Sequence, residues 1–445
     1  MDSGGGGRTG LRAVAILSNY GNRNLGDEAT LAAILQAIRD RCEGARLYAI
    51  SFDPEDTEAR HGVVALPAQR LITRPVRPAG RAAEVPVRTP VRMPPPTGLG
   101  RLEARLRAVP LLARVGKALR RLAALPRDLV GEGRFVARTI GALRRIDCLV
   151  VGGGGQLSDD FGGTWAFPYL VLKWTVMARV AGTRVLFVSV GAGPLDSGLA
   201  RFFVKTALRL SAYRSFRDEG SRTVIASLGV SGSVHADPAW ALRVEKARDV
   251  ARPSAAALVV GLNPFPYQDA RYWPGGERAR YEAYLDTLAG LGEALLARGH
   301  SVVLFPTQLR SDPRVIADLK ARLAARGRPN LPGRLLERTV ETVDDLVATL
   351  APLDLVVSGR FHGILLAFLL GKPVVGLSYQ SKIDELMRCA GQGAYVLSTT
   401  GLDIDTLIER VVALEGDRAR ISARLEDEGR RCRLVLEKQF DALFN

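Results

Sequence analysis

Short apolar runs alternate with longer segments whose apolar positions recur at helical spacing through most of the chain. The short runs predict β-strands over residues 12–18, 46–50, 146–151, 184–190, 213–217, 257–261, 301–305, 355–357 and 374–377. The longer segments predict helices over residues 27–39, 166–181, 199–210, 219–228, 278–298, 313–326, 342–350 and 364–370. Regular alternation of the two patterns is typical of parallel sheets that are covered by helices on both faces.

The strands fall into two series, and 445 residues are too many for one hydrophobic core. We therefore predict an α/β fold of two Rossmann-like parallel-sheet domains that face one another across a cleft. The expected domains are residues 11–241 and, with the terminal helices, residues 255–445. A charged segment over residues 242–254 is the expected linker.

Ligands of open α/β sheets bind at the carboxyl ends of the strands, and one such end carries the sequence Ser358-Gly359-Arg360-Phe361-His362-Gly363. In an extended segment Arg360 and His362 would point to the same side, because one residue separates them. A guanidinium beside an imidazole suits an anionic substrate that exchanges a proton. The alternative is that Arg360 pairs with an acid and His362 caps a helix.

Glycine-rich turns follow three other predicted strands. The first turn, residues 19–28, contains Asn24, Gly26 and Asp27. The second, residues 152–156, contains Gly153, Gly154, Gly155 and Gln156. The third, residues 191–194, contains Gly193. Such glycines let a backbone approach either a ligand or a neighbouring loop. The first turn does not match G-x-G-x-x-G, which disfavours a dinucleotide site there.

Seven motifs in this order resemble those of the polysaccharide pyruvyl transferases, over most of residues 11–391. They are residues 24–28, 152–156, 191–194, 215–218, 237–238, 359–363 and 371–373. The resemblance implies a GT-B-like pair of domains and transfer of the enolpyruvyl group of phosphoenolpyruvate onto a saccharide as a ketal. No cofactor or metal is expected, since phosphoenolpyruvate is itself the donor substrate. Family members vary in acceptor, so the acceptor sugar stays open.

On this interpretation, arginines from both domains bind the phosphate and carboxylate of the donor, because guanidinium groups match both anions. The expected catalytic residues are Arg217, Arg360 and His362, with His362 as the general acid. The expected substrate-binding residues are Asn24, Gly26, Asp27, Gly153, Gly154, Gly155, Gln156, Gly193, Gly363 and Lys382. Asp27, Glu28, Asp159 and Asp160 are alternatives for the base, and Asp27 could equally cap a helix.

The net charge of +16 is concentrated in residues 70–127, where 14 basic side chains stand against Glu84 and Glu103. Residues 70–92 of this insertion are rich in Pro and Arg and contain few apolar side chains that could be buried. Residues 101–127 show an amphipathic helical pattern. We expect peripheral contact with an anionic membrane surface. The alternative is a solvated loop. The segment has no aromatic residue to stack on bases, so no nucleic-acid partner is expected.

No amino-terminal signal and no uncharged apolar run of membrane-spanning length is visible, and the four cysteines have neither metal nor disulfide spacing. We therefore expect a cytoplasmic protein that acts at the inner face of the membrane on a free or lipid-linked saccharide. Two other functions stay open. One is a GT-B nucleotide-sugar glycosyltransferase or sugar epimerase, and the other is a non-catalytic membrane-associated scaffold of polysaccharide assembly.

Overall fold

A computed structural model describes residues 10–70, 128–160, 162–244, 257–273, 275–326 and 333–444 of the chain. The predicted basic insertion, apart from Arg70, and most of the predicted linker lie outside these residues. Of the described residues, 69–70 and 128–142 belong to a separate compact unit, in which residues 128–142 are helical. The remaining described residues belong to one larger unit that contains two sheets and the candidate site.

The first sheet has seven strands in the order β3-β2-β1-β4-β5-β6-β7, and every neighbouring pair is parallel. The strands are β1 (Ala13–Leu17), β2 (Arg46–Ser51), β3 (Val64–Pro67), β4 (Cys148–Gly152), β5 (Arg184–Val190), β6 (Tyr213–Phe216) and β7 (Ser233–Val234). The helices are α1 (Leu25–Arg41), α2 (Pro54–His61), α3 (Phe167–Ala181), α4 (Gly198–Leu210) and α5 (Glu219–Ala226). Every residue of β1 and of β4 is buried, as expected for strands covered on both faces.

The second sheet has six strands in the order β10-β9-β8-β11-β12-β13, also parallel throughout. The strands are β8 (Val259–Asn263), β9 (Ser301–Leu304), β10 (Leu335–Glu337), β11 (Leu355–Ser358), β12 (Val374–Ser378) and β13 (Val396–Ser398). The helices are α6 (Arg278–Ala297), α7 (Asp312–Ala325), α8 (Val343–Leu350), α9 (Phe361–Leu369), α10 (Ser381–Cys389) and α11 (Ile404–Phe444).

Strand order reverses once in each sheet, between β1 and β4 in the first and between β8 and β11 in the second. The connections that leave two such neighbouring strands run to opposite sides, which opens a crevice at the carboxyl ends. Hence the two crevices are where the fold itself favours ligand binding.

The carboxyl-terminal helix α11 connects the two sheets. It begins after β13 of the second sheet, and near its end Gln439 donates hydrogen bonds to Ser215 Oγ (2.7 Å) and Tyr213 Oη (3.1 Å) of β6. Arg41 at the end of α1 pairs with Asp441 at 2.8 Å. The predicted terminal helices are therefore one helix, and its last turns pack on the first sheet.

The α/β architecture predicted from the sequence is confirmed, including two parallel sheets. The spacing of Thr342 and Asp345 in the sequence also predicts a capping box, and the structure has it at the start of α8. Sequence patterns missed the short strands β3, β7, β10 and β13, because so few residues show no clear alternation. They also missed α2 and α10, whereas α11 replaces the predicted terminal helices. Among the helices in the described parts of the chain, none has the length and apolar composition needed to cross a bilayer.

Candidate active site

A cavity of about 400 Å³ lies where the carboxyl ends of strands from both sheets meet. Its wall is formed by residues that follow β1, β4, β6, β9, β11 and β12. They are Asn19, Asn22, Asn24, Asp27, Gly154, Gly155, Gln156, Ser158, Phe167, Arg217, Thr307, Gln308, Arg310, Arg360, Phe361, His362, Tyr379 and Lys382. The volume is in the range of small-molecule sites, roughly 300–1,000 Å³.

Most residues that the sequence predicted for the site line this one cavity, although they come from distant parts of the chain. They are Asn24, Asp27, Gly154, Gly155, Gln156, Arg217, Arg360, His362 and Lys382. Four predicted glycines do not line it, namely Gly26, Gly153, Gly193 and Gly363. The structure assigns these four a packing role.

The packing role follows from what a β-carbon would meet at each position. At Gly26 it would lie 2.3 Å from the His362 ring, and at Gly153 it would lie 2.1 Å from Thr30. At Gly193 it would meet Ser158 Oγ at 2.9 Å, and at Gly363 it would meet Asn263 Oδ1 at 2.6 Å. These glycines therefore let neighbouring segments approach one another, which was the alternative interpretation of the glycine-rich turns.

The amino terminus of α1 places Asp27 in the cavity. Asn24 caps the helix by accepting a hydrogen bond from the Gly26 N–H at 3.1 Å, so the cap is Asn24 and the prediction that Asp27 could serve as the cap is wrong. Asp27 accepts a hydrogen bond from Asn19 Nδ2 at 3.0 Å. Burial raises the pKa of the Asp27 carboxyl to about 6, against the opposing effects of His362 and Asn19.

His362 lies in the first turn of α9, which begins at Phe361. The segment is therefore not extended beyond Arg360, and the expected strand-like alternation of Arg360 and His362 is wrong, although both line the cavity. The imidazole is largely buried, and its Nε2 lies 3.3 Å from Thr30 Oγ1. One edge of the ring rests against Gly26 of α1.

Asp237 lies behind His362 and is almost fully buried. Its Oδ2 is 3.7 Å from His362 Nε2 and 3.8 Å from the Arg217 guanidinium, while its Oδ1 accepts a hydrogen bond from the Ala239 N–H at 3.0 Å. Burial alone would raise the pKa of Asp237, yet the neighbouring His362 and Arg217 hold it below its usual value. Asp237 is thus the ionised counterpart of the more readily protonated Asp27.

Arg217 follows β6 and is held on several sides. Its Nε donates to Asp218 at 3.1 Å, and its guanidinium carbon lies 4.2 Å from the centre of the Phe361 ring. A β-carbon at Gly191 would lie 2.6 Å from that guanidinium carbon, so glycine is needed there for Arg217 to pass. The side chain is 5% exposed and is therefore held in place by the protein itself.

Arg360 precedes α9 at the N-cap position, without a side-chain capping hydrogen bond, and pairs with Asp312, which is fully buried at the start of α7. It also donates to Ser311 Oγ at 3.1 Å, and within the described structure its buried Nε has no hydrogen-bond partner. The alternative prediction that Arg360 pairs with an acid therefore holds, yet the residue still lines the cavity.

Lys382, Arg217 and Arg360 are three of the four cations that line the cavity, and Arg310 is the fourth. Burial lowers the pKa of the Lys382 ammonium group to about 8, and the positive charges of Arg217 and Arg360 act in the same direction. Asp27 and Asp160 act in the opposite direction. Three cations that repel one another across a cavity form a site prepared for an anion.

The four acids that the sequence offered as alternatives for the base have different surroundings in the structure. Glu28 pairs with His61 at 2.7 Å, and Asp159 accepts from the backbone N–H groups of Asp196 and Ser197. Asp160 is exposed and does not line the cavity. Asp27 lines it. Within the described residues, no group of three or more His, Cys, Asp or Glu side chains is placed to hold a metal ion.

Sequence reasoning missed the contribution of the loop after β9. Thr307, Gln308 and Arg310 line the cavity, and this loop bonds to the loop after β1, with the Leu25 N–H donating to Thr307 O at 2.9 Å. The Arg310 guanidinium donates to Gly21 O at 3.2 Å. The sequence does contain a clue to these residues, because they are polar and directly follow a predicted strand. In a parallel sheet the carboxyl ends of all strands lie at the same edge.

Comparison with known proteins places the chain among enzymes of saccharide metabolism. The family model described as polysaccharide pyruvyl transferase matches residues 24–381. The search of curated proteins found no match.

Solved structures with a similar fold include three proteins of about 10% sequence identity. S. aureus MnaA in a co-structure with UDP has a TM-score of 0.50 and 10% identity, over 94% of this chain and 90% of that chain. A UDP-GlcNAc 2-epimerase from Neisseria meningitidis bound to UDP-GlcNAc has a TM-score of 0.50 and 11% identity, over 96% and 99%. A Listeria monocytogenes protein assigned as a UDP-N-acetylglucosamine 2-epimerase has a TM-score of 0.54 and 10% identity, over 97% of both chains. At this identity the likeness shows the fold alone, which is GT-B-like.

Proposed function

This chain belongs to the polysaccharide pyruvyl transferase family, and we propose that it moves the enolpyruvyl group of phosphoenolpyruvate onto hydroxyls of a saccharide, forming a ketal and releasing phosphate. The observation that carries the proposal is the convergence of Arg217, Arg360 and Lys382 on one cavity that also contains His362 and Asp27. The acceptor is a saccharide, either free or linked to a lipid.

The three cations suit the donor, because phosphoenolpyruvate carries a phosphate and a carboxylate on one small carbon skeleton. Arg217 comes from the first sheet, whereas Arg360 and Lys382 come from the second. Guanidinium groups bind either anion through paired hydrogen bonds, and a lysine adds a point charge. Burial and, after it, repulsion by Arg217 and Arg360 lower the pKa of Lys382, and a dianion bound between the three cations would offset that repulsion.

His362 is the proposed general acid. Ketal formation requires a proton on the methylene carbon of the donor, which leaves an electron-poor central carbon that a hydroxyl can attack. The Asp237 carboxylate, which remains ionised at neutral pH, lies 3.7 Å from His362 Nε2. Asp237 therefore acts on His362 and does not itself touch the donor.

Asp27 is the proposed base. It takes the proton from the first saccharide hydroxyl as the hydroxyl oxygen bonds to the central carbon. The carbon–oxygen bond to phosphate then breaks, and Asp27 gives its proton to the departing phosphate. The second hydroxyl closes the ring and returns its proton to His362, so the two residues end the cycle as they began. A pKa of about 6 leaves Asp27 mostly ionised at neutral pH and still able to hold a proton briefly.

The test is phosphate release from phosphoenolpyruvate against a panel of free and lipid-linked saccharides, with mass spectrometry of the product. We expect acceptor-dependent phosphate release and a product whose mass has increased by one pyruvyl ketal. His362→Gln should abolish release, whereas His300→Gln is the matched control, because His300 pairs with Glu415 outside the cavity.

Two results would contradict the proposal. Release of a nucleotide from a nucleotide sugar, with no phosphate from phosphoenolpyruvate, would favour the glycosyltransferase or epimerase alternative. Absence of turnover with every acceptor, together with full biological activity of His362→Gln, would favour a scaffold. A cheaper first step is the thermal shift with phosphoenolpyruvate, since a ligand that binds only the folded protein raises its apparent stability.

A further inference from the structure

Helices α3 and α4 form an outer layer of the first domain that is unusual in its charge. The sequences of the two helices contain Lys173, Arg179, Arg201, Lys205 and Arg209 but no Asp or Glu. The two helices pack against one another. An all-cationic layer is what an anionic surface attracts.

Large apolar side chains are exposed on the same layer. Trp165 is 68% exposed and Phe202 is 58% exposed, and Leu199 lies one turn before Phe202 on α4 with 43% exposure. The Trp165 ring rests on Phe203 (5.6 Å between ring centres) and on Tyr169 (5.4 Å). We call the two aromatic residues Trp165 and Phe202, together with the neighbouring Leu199, the aromatic ridge. Exposed aromatic side chains that stand together, with cations around them, mark interaction surfaces.

The ridge lies at the same edge of the first sheet as the cavity. Trp165 stands in the loop between β4 and α3, and Phe202 is in the second turn of α4, which follows β5. Both loops leave the carboxyl ends of their strands, where the cavity lies. Phe167, only two residues after Trp165, is part of the cavity wall.

We propose that the aromatic ridge and the cations of α3 and α4 dock this protein onto an anionic lipid bilayer. Tryptophan and phenylalanine side chains enter the region of the lipid headgroups, while arginine and lysine bind the headgroup phosphates. Two exposed acids, Asp160 and Asp196, precede the two helices in their loops. Docking in this orientation brings the cavity close to the membrane surface, which suits an acceptor that is anchored in the bilayer.

The surface chemistry favours a bilayer over a protein partner. The cations are spread over two helices that contain apolar residues but no acid. A protein partner would usually find cations and acids in a fixed arrangement that matches its own charges. A lipid surface needs no such pattern, because its headgroups are mobile.

The four tryptophans make the test direct. Trp174 and Trp240 are buried and Trp273 is half-buried, so Trp165 is the most exposed reporter. The full-length protein should bind vesicles of phosphatidylglycerol and phosphatidylcholine, with a blue shift of its fluorescence. Lipids brominated near the headgroup should quench that fluorescence, and Trp165→Phe should lose the quenching while still binding.

Replacement of the ridge should weaken vesicle binding. Trp165→Ser with Phe202→Ser should reduce the affinity at least about tenfold, and Lys205→Glu with Arg209→Glu should do the same at low salt. The matched control is Val412→Ser with Leu434→Ser, two exposed apolar positions of α11. Circular dichroism and the melting temperature show whether each variant is folded.

Three outcomes would overturn the proposal. Vesicle binding without quenching of Trp165 would assign the contact to another segment, such as residues 70–127. Absence of binding to anionic vesicles would exclude the bilayer. A change of oligomeric state in the ridge variant, with vesicle binding unchanged, would make the ridge an interface between copies of the chain.

Discussion

Gly26 and His362 lie against one another across the cleft between the two sheets. A β-carbon at Gly26 would come within 2.3 Å of Cβ, Cγ and Nδ1 of His362. Gly26 belongs to the first turn of α1, and His362 belongs to the first turn of α9. Because Gly26 has no side chain, α1 leaves room for the imidazole of His362 on α9. The position of His362, the proposed general acid, therefore depends on both domains.

Gly26→Ala should displace the imidazole while leaving the helix intact, because alanine is a better helix former than glycine. We expect pyruvyl transfer to fall by roughly 10²-fold or more, the usual effect of misplacing a catalytic group. Steady-state kinetics together with circular dichroism would measure this. The control is Gly416→Ala in α11, where a β-carbon meets nothing within 4 Å. Unchanged kinetics in Gly26→Ala would show that the position of the ring does not matter.

Asp27→Asn should remove acceptor-dependent turnover, with a loss of roughly 10²–10⁴-fold, because an amide cannot take a proton. In the unmodified protein kcat/KM should fall as the pH drops through about 6, where Asp27 becomes protonated. Rates across pH 5–8, measured for both proteins, test the role. A matched control is Asp344→Asn at an exposed position. If the acid limb persists in the residual activity of Asp27→Asn, another group is the base.

The same substitution should stabilise the fold at neutral pH. The pKa of Asp27 is about 6 in the native protein, against a usual value of 3.8, so the native state binds the proton more tightly than the unfolded chain. Stability therefore falls as the pH rises from about 4 to 6, by on the order of 2–3 kcal/mol. Asp27→Asn should recover most of this at pH 7 and gain nothing near pH 3.5. Urea unfolding at both pH values would measure it, and equal effects at the two would contradict the burial argument.

Lys382 should make kcat/KM for phosphoenolpyruvate decline at basic pH. Its pKa of about 8 means that the free enzyme loses this charge as the pH rises above that value, so kcat/KM for phosphoenolpyruvate should decline there. Lys382→Arg keeps the charge and should flatten this decline, even if the absolute rate is lower. Lys320→Arg, in an exposed pair with Glu337, is the control. A decline that is identical in Lys382→Arg would assign the titration to another residue.

Asp312→Ala should be strongly destabilising. Asp312 is fully buried and accepts hydrogen bonds from the backbone N–H groups of Thr307 (3.1 Å) and Gln308 (2.8 Å) in addition to Arg360. Its removal leaves the Arg360 charge without its partner and should cost about 3–5 kcal/mol in the free energy of unfolding. Asp344→Ala, an exposed acid in the first turn of α8, should cost less than about 1 kcal/mol. Similar losses in both variants would show that Arg360 does not depend on Asp312.

The sequence by itself determined the architecture and the edge at which the site lies. Apolar runs such as those of β1 and β4 are local patterns, and parallel strands necessarily bring their carboxyl ends to one edge. For the same reason the order of strands and motifs along the chain was enough to place Arg217, Arg360 and His362 near a common cleft. The capping box of Thr342 and Asp345 was likewise readable, since it depends on neighbouring residues alone.

Only the tertiary structure decided which polar groups meet. Asp27, Glu28 and Asp159 look alike as acids at strand ends, yet one lines the cavity, one pairs with His61 and one binds backbone N–H groups. The packing of Gly26 on His362 was also not readable, because it depends on how two helices that are far apart in the chain approach one another. Side-chain contacts of this kind are set by the relative placement of the two sheets, and no local spacing in the sequence encodes it.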